Sequence, residues 1–250
     1  MSQNLSKSLI NYVVFSFLFL TAVLFVGTQS VKFFSGQWME EASAVAESEQ
    51  APIVIIDPGH GGEDGGAVGA DGTLEKGLNL MISENIRDIF SLFGITAEMT
   101  REGDHMLYDY YNDLDDYTGK MKTYDLRNRL RIAEESGAVL YLGVHMNKFP
   151  KTQYSGMQVY YSPNHAEGGN AARMIREYAR NFLQPDNKRE TKRADSSIYI
   201  LHRITIPAVL VECGFLSNEA ECALLNTAEY RLKTACTVAA GSMEWLVNAK

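Results

Sequence analysis

Ile53-Val54-Ile55-Ile56-Asp57-Pro58-Gly59-His60-Gly61-Gly62 is the stretch from which the rest of the chain is read. Four β-branched apolar residues in a row describe a strand buried on both faces, the kind found in parallel sheets. Pro58 cannot donate to a ladder and Gly59 opens a turn, so the strand stops there. His60 is then held among glycines at the strand's C-terminal edge, where open α/β sheets place their ligand sites. A phosphate-binding loop would need the GxxxxGK[ST] pattern, which is absent. On this stretch alone, an incidental histidine at a strand end competes closely with a functional one.

Further along, the same grammar repeats. Asp64-Gly65-Gly66-Ala67 continues the glycine loop, and Glu75 stands at the start of a helical pattern whose apolar side includes Leu78, Ile82, Ile86 and Phe90 and which Gly94 ends. Ile95–Thr100 reads as a second strand, closed by Arg101. Asp125 reads as the N-cap of an amphipathic helix over 125–133. Ala138–Asn147 is another buried strand, with His145 near its end, and Gly156–Tyr161 is a fourth. Ala166–Leu183 is helical, Gln184–Asn187 breaks it, and a basic polar stretch runs from Lys188 to Asp195. Ile198–Leu201 is expected as a short strand. Pro207–Glu212 is the last buried strand, followed by one terminal helix over Glu219–Leu246 with Ser217 or Asn218 at its cap. Strands alternating with helices make this an α/β domain around a mostly parallel sheet.

The N-terminal part is different. Ile10–Val26 is almost wholly apolar, about 17 residues, long enough to cross a hydrocarbon core and longer than most signal-peptide cores. The small-residue pairs at Ala42, Ala44 and Ala46 lie too far downstream for a cleavage site. Residues 1–9 are therefore expected in the cytoplasm, 10–28 as a transmembrane signal anchor, 29–50 as a flexible linker and 51–250 as the α/β domain outside the cytoplasm. A net charge of −8 argues against nucleic acid as a partner. Cys213, Cys222 and Cys236 lack CxxC spacing and suit buried thiols. The segment 102–124 carries Tyr108, Tyr110, Tyr111, Tyr117 and Tyr124 among aspartates, and reads as a surface insertion near the substrate face or as a plain solvated loop.

Three strand ends carry His60, His145 and Glu212, and a loop-to-helix junction carries Glu75. In a parallel sheet such ends lie side by side, so the four side chains can converge. A glutamate ending an apolar strand has no structural reason to be there, because buried carboxylates are kept only when paired or cation-bound. Two histidines and a carboxylate are the ligand set of an open catalytic zinc site, and a further carboxylate, Glu212, suits general base and acid duty. His105, His165 and His202 lie away from strand ends and read as surface or supporting residues.

The segments 55–62, Glu75-Lys76-Gly77-Leu78-Asn79-Leu80, Thr100-Arg101, Asp125-Leu126-Arg127-Asn128-Arg129, Val144-His145-Met146-Asn147 and 207–218 resemble, in order, the motifs of zinc-dependent N-acetylmuramoyl-L-alanine amidases. The resemblance covers nearly everything from Ala51 onward. It implies a single sheet of about six strands flanked by helices. It also implies zinc on His60, Glu75 and His145, Glu212 as the catalytic carboxylate, and cleavage of peptidoglycan between the lactyl group of N-acetylmuramic acid and L-alanine of the stem peptide. An N-terminal anchor on a lone catalytic domain further resembles the spore-cortex amidases of endospore formers, with a membrane partner through the anchor and room for an activating protein partner. A zinc carboxypeptidase acting on stem peptides and an inactive, membrane-tethered wall-binding module are the competing expectations. Gly77, Met146 and Cys213 depart from the family's usual residues without touching a ligand position.

Overall fold

The computed structural model describes residues 51–249. The expected cytoplasmic segment, transmembrane anchor and linker, residues 1–9, 10–28 and 29–50, lie outside the described residues. Among the described residues, no helix is long and apolar enough to cross a membrane.

Six strands, β1 (Ile53–Pro58), β2 (Thr96–Met99), β3 (Leu140–Asn147), β4 (Gln158–Tyr161), β5 (Lys192–Arg193) and β6 (Ala208–Phe215), form one sheet in the order β2-β1-β3-β6-β4-β5. Helices α1 (Glu75–Leu92), α2 (Met121–Glu135), α3 (Ala166–Tyr178), α4 (Tyr199–Arg203), α5 (Glu219–Leu225) and α6 (Ala228–Asn248) cover its two faces. Alternation along the strands splits the core. Val54, Ile56, Leu142, Val209 and Val211 pack with Leu78, Ile82, Ile86 and Phe90 of α1 and with α3 and α6. Ile55, Tyr141, Ala208 and Leu210 face the other way, toward Ala133 of α2 and Ile200 and Leu201 of α4. The four α1 residues recur every four positions and are each at most 1 % exposed, so burial at about 1.5–3 kcal/mol apiece holds that helix on the sheet.

β1 pairs in parallel with β2 on one side and with β3 on the other, so the chain order reverses at β1. Such a switch point opens a crevice at the strands' C-terminal ends, and His60 follows directly.

Several expectations are corrected. The sheet is mostly parallel, as expected, but mixed at one side, because β4 runs antiparallel to β6 and carries β5 parallel to itself. No helix lies between β3 and β4, so the chain stays at the sheet's C-terminal edge and can only run back. Ile198–Leu201 is not a strand; Tyr199–Arg203 is helical, because Ile200, Leu201 and Ile204 bury one helical face against the second cluster. Asp125 is not an N-cap, since α2 begins at Met121 and Asp125 lies buried inside it. The terminal helix is two, parted at Thr227, whose side chain caps the N–H of Tyr230. All three cysteines are free, but Cys236 is exposed rather than buried.

The tyrosine-rich segment is largely a surface layer. Tyr108, Tyr117 and Tyr124 meet edge to face, and Arg131 sits 3.7 Å over the Tyr111 ring. Leu107 is the exception, 3 % exposed, with its N–H on Asp125 at 2.6 Å and its carbonyl on Asn128 at 2.6 Å.

Candidate active site

The glycine loop after β1 is fixed by its own carbonyls. Arg101 donates to the carbonyls of Pro58 (2.9 Å), Gly59 (3.0 Å) and Lys76 (2.9 Å). Arg129 donates to those of Pro58 (2.8 Å) and His60 (2.6 Å). Both guanidinium groups are buried, and Arg129 is balanced by Asp57 (2.6 Å) and Asp125 (2.8 Å). Burial alone raises the Asp57 pKa, but Arg129, Thr100 and Tyr141 outweigh it and hold the carboxyl below its ordinary value. Burial pulls Arg101 down to about 10, still charged at neutral pH. The second half of the loop hangs on Asp104 and Lys76, which hold the N–H (2.8 Å) and carbonyl (2.7 Å) of Gly62.

So anchored, His60 is held at φ 64°, a conformation rare outside glycine. Backbone strain of that kind collects at functional sites. Two glycines make the space around it. A Cβ on Gly59 would meet the His145 ring at 2.1 Å, and one on Gly66 would meet Glu75 Oε2 at 2.6 Å and His60 Cδ2 at 2.7 Å.

Ligand atoms of His60, Glu75 and His145 all lie within 4.8 Å of one another. Glu75 Oε1 is 3.3 Å from His60 Nε2 and 3.0 Å from His145 Nδ1. Atoms around a tetrahedral zinc are spaced by roughly 3.3 Å, given bonds of about 2.0–2.2 Å, so the three side chains fit that ion. Glu75 is pinned by the N–H groups of Ala67 (2.7 Å) and Met146 (3.0 Å) and by Asn79 (3.2 Å). Burial pushes its pKa up, but the two imidazoles reverse this and hold it well below the usual carboxylate range. Burial lowers the His60 pKa, while Glu75 and then Asp64 raise it, for a net rise.

Glu212 completes the group. It is the register partner of His145 across β3 and β6, and Gln158 is its partner across β6 and β4. The row His145–Glu212–Gln158 therefore crosses three adjacent strands at one edge of the sheet. Glu212 Oε2 and Gln158 Oε1 are both screened from solvent and lack a hydrogen-bond partner among the described residues. Burial drives the Glu212 pKa up to about 7, with His145 opposing and Glu75 adding to the rise. All four residues singled out in the sequence are thus brought together. His105 and His202 are exposed, and His165 caps α3.

Two further contributors escaped the sequence reading. Asp64 Oδ2 lies 3.0 Å from His60 Nδ1, which leaves Nε2 facing Glu75. A carboxylate on the far nitrogen is the usual support of a metal-binding histidine. Its spacing four residues after His60 was the available signal. Gln158 left none, because its place depends on β4 running antiparallel.

Comparison with known proteins decides the family. A family model described as N-acetylmuramoyl-L-alanine amidase matches residues 54–242. The chain belongs to the N-acetylmuramoyl-L-alanine amidase family. Within that family it is similar to the germination-specific N-acetylmuramoyl-L-alanine amidase of Bacillus subtilis, 36 % identical over 196 residues, covering 78 % of this chain and 80 % of the relative. Among solved structures, the CwlD amidase of Clostridioides difficile, in complex with the GerS lipoprotein, matches with TM-score 0.73 and 35 % identity over 79 % of this chain and 99 % of that one. AmiC2 of Nostoc punctiforme matches with TM-score 0.66 and 28 % identity, covering 80 % and 99 %. The amidase fold, its ordered motifs and the His60–Glu75–His145 cluster therefore coincide in one domain.

Proposed function

We propose that this amidase hydrolyses the bond between the lactyl carbonyl of N-acetylmuramic acid and the L-alanine nitrogen of the stem peptide, with zinc held by His60, Glu75 and His145. The observation that carries the reading is Glu212, a carboxylate with an unpartnered oxygen, set directly across from His145. Zinc, when bound there, lowers the pKa of its water to about 7 and polarises the carbonyl. The protein does the rest. Asp64 fixes the His60 ring, and Glu75 is held by two backbone N–H groups so that its position does not depend on the ion. Glu212 takes the proton of the attacking water on its free oxygen and returns it to the leaving nitrogen. A carboxylate with a pKa raised toward neutrality is suited to both transfers.

The likeness to a germination-specific relative supports a role in spore-cortex processing. In that setting the apolar segment 10–28 tethers the chain to a membrane, and residues 51–250 act outside the cytoplasm on peptidoglycan. The CwlD relative's complex with a lipoprotein supports an activating protein partner for this chain too.

The test is mass spectrometry of muropeptides after purified peptidoglycan is incubated with the zinc-loaded full chain. Intact stem peptides with a free N-terminal L-alanine are expected. Release of single C-terminal amino acids would instead make the protein a carboxypeptidase, and muropeptides left unchanged both by the chain alone and after addition of membrane extract would make it a binder.

A further inference from the structure

The basic stretch Lys188–Arg193 has no part in the catalytic cluster, and in a chain with net charge −8 its placement is informative. It borders a cleft of about 540 Å³ whose lining includes Tyr154, Gly156, Gln184, Asn187, Lys188 and Arg189. That volume is of the size that holds a short peptide. The cleft lies at the same sheet edge as the candidate zinc site, for two reasons. One wall is the loop joining the C-terminal end of β3 to the start of β4. The other is tied to the His145–Glu212–Gln158 row, because Gln158 Nε2 donates to the Glu190 carbonyl at 2.6 Å.

Arg189 is set up to receive an anion. Its guanidinium lies 4.6 Å from the ring centre of Phe215, three residues beyond Glu212 on β6, and 5.7 Å from that of Tyr154. Its Nε donates to the Ser155 carbonyl at 3.0 Å. The two terminal nitrogens have no hydrogen bond or ion pair among the described residues, and the neighbouring Glu190 side chain is engaged by Arg176. A half-buried guanidinium fixed at Nε and packed on an aromatic face presents its remaining fork to a carboxylate. Lys188 adds a second cation, which Asp186 on the same rim offsets.

We propose that this cleft is a substrate subsite that binds a carboxylate of the stem peptide through Arg189, with the peptide packed against Tyr154. The proposal rests on the amidase reading above and extends it to the substrate's charge. A free carboxylate on the residue after L-alanine is recognised; its amide is not.

The experiment uses the zinc-loaded full chain and two soluble muramoyl peptides that differ only there, one with a free carboxylate on the second residue and one amidated. The wild type is expected to prefer the acid by about 10-fold or more in kcat/KM, expressed mainly in KM. Arg189→Gln is expected to bring the acid down to the level of the amide, with kcat, zinc content and Tm little changed, and Arg189→Lys to keep part of the preference. Equal use of both compounds by the wild type overturns the subsite while leaving the amidase reading intact, as does an Arg189→Gln variant that keeps the preference. Failure of the wild type to cleave either compound at the lactyl amide overturns the amidase reading and the subsite together. If Arg189→Gln does not fold, NMR titration of the wild type with the two released peptides decides, tighter binding of the acid supporting the subsite and equal binding overturning it.

Discussion

An ionisable side chain within a buried strand is costly to keep, yet Glu212 is kept inside β6 with one oxygen unpaired. Replacing it by Gln removes the basic group with almost no change of shape. Glu212→Gln is therefore expected to retain the fold and one zinc per chain while losing turnover by about 10²-fold or more, measured as release of N-terminal L-alanine. Asp64 acts one step further out, through His60. Asp64→Asn is expected to weaken zinc binding by about 10–100-fold, measured by competition with a chelator, while far-ultraviolet circular dichroism stays unchanged. The difference between these two residues shows what was legible at this scale. Glu212 broke an apolar run and so declared itself, as did His60 and His145 at their strand ends. Asp64 sat in a polar loop where an aspartate is ordinary, and the tight turn closed by the paired backbone hydrogen bonds of Gly61 and Asp64 brings it back onto the ring.

At the scale of elements, the segments holding Thr100-Arg101 and Asp125–Arg129 are parts of one clamp on the glycine loop. Arg129 spans from the Asp57 carboxylate to the His60 carbonyl, so α2 and the end of β1 position the histidine jointly. Asp57 is the charge that makes this affordable, and its pKa is depressed in the folded chain below 3.8. A depressed carboxylate contributes stability above its unfolded pKa and loses it as pH falls through the folded value. Asp57→Asn is accordingly expected to be less stable than the wild type at pH 7, with the gap closing as pH falls below about 4. Urea unfolding of both proteins across that range measures it, and a gap independent of pH would remove the ion pair from the explanation. Helix α1 and strands β1, β3 and β6 were legible because their apolar periods are long and unbroken. Tyr199–Arg203 was not, since a short run of Ile, Tyr and Leu serves strand and helix alike until its packing partners are known. Asp125 looked like a cap because its contacts, Leu107 and Arg129, are made at a distance or on the next turn of the helix.

Taken whole, the domain places chemistry where a sheet's connectivity reverses. β1 stands between β2 and β3, the loop after it carries His60, α1 begins with Glu75, and β3 and β6 bring His145 and Glu212 into register. The departure from the parallel expectation begins at β4, and that strand extends the site, setting Gln158 beside Glu212 and carrying the cleft around Arg189. That part was illegible because strand direction depends on which connection crosses the sheet, a property of the whole chain. The most direct test of the central claim is zinc content after equilibrium dialysis of four full-length proteins, namely wild type, Glu212→Gln, His60→Ala and His145→Ala. One zinc per chain is expected in the first two and far less in both histidine variants, because a carboxylate and a single imidazole leave the site incomplete. Full stoichiometric zinc in both histidine variants would contradict the assignment of His60, Glu75 and His145 as the metal site.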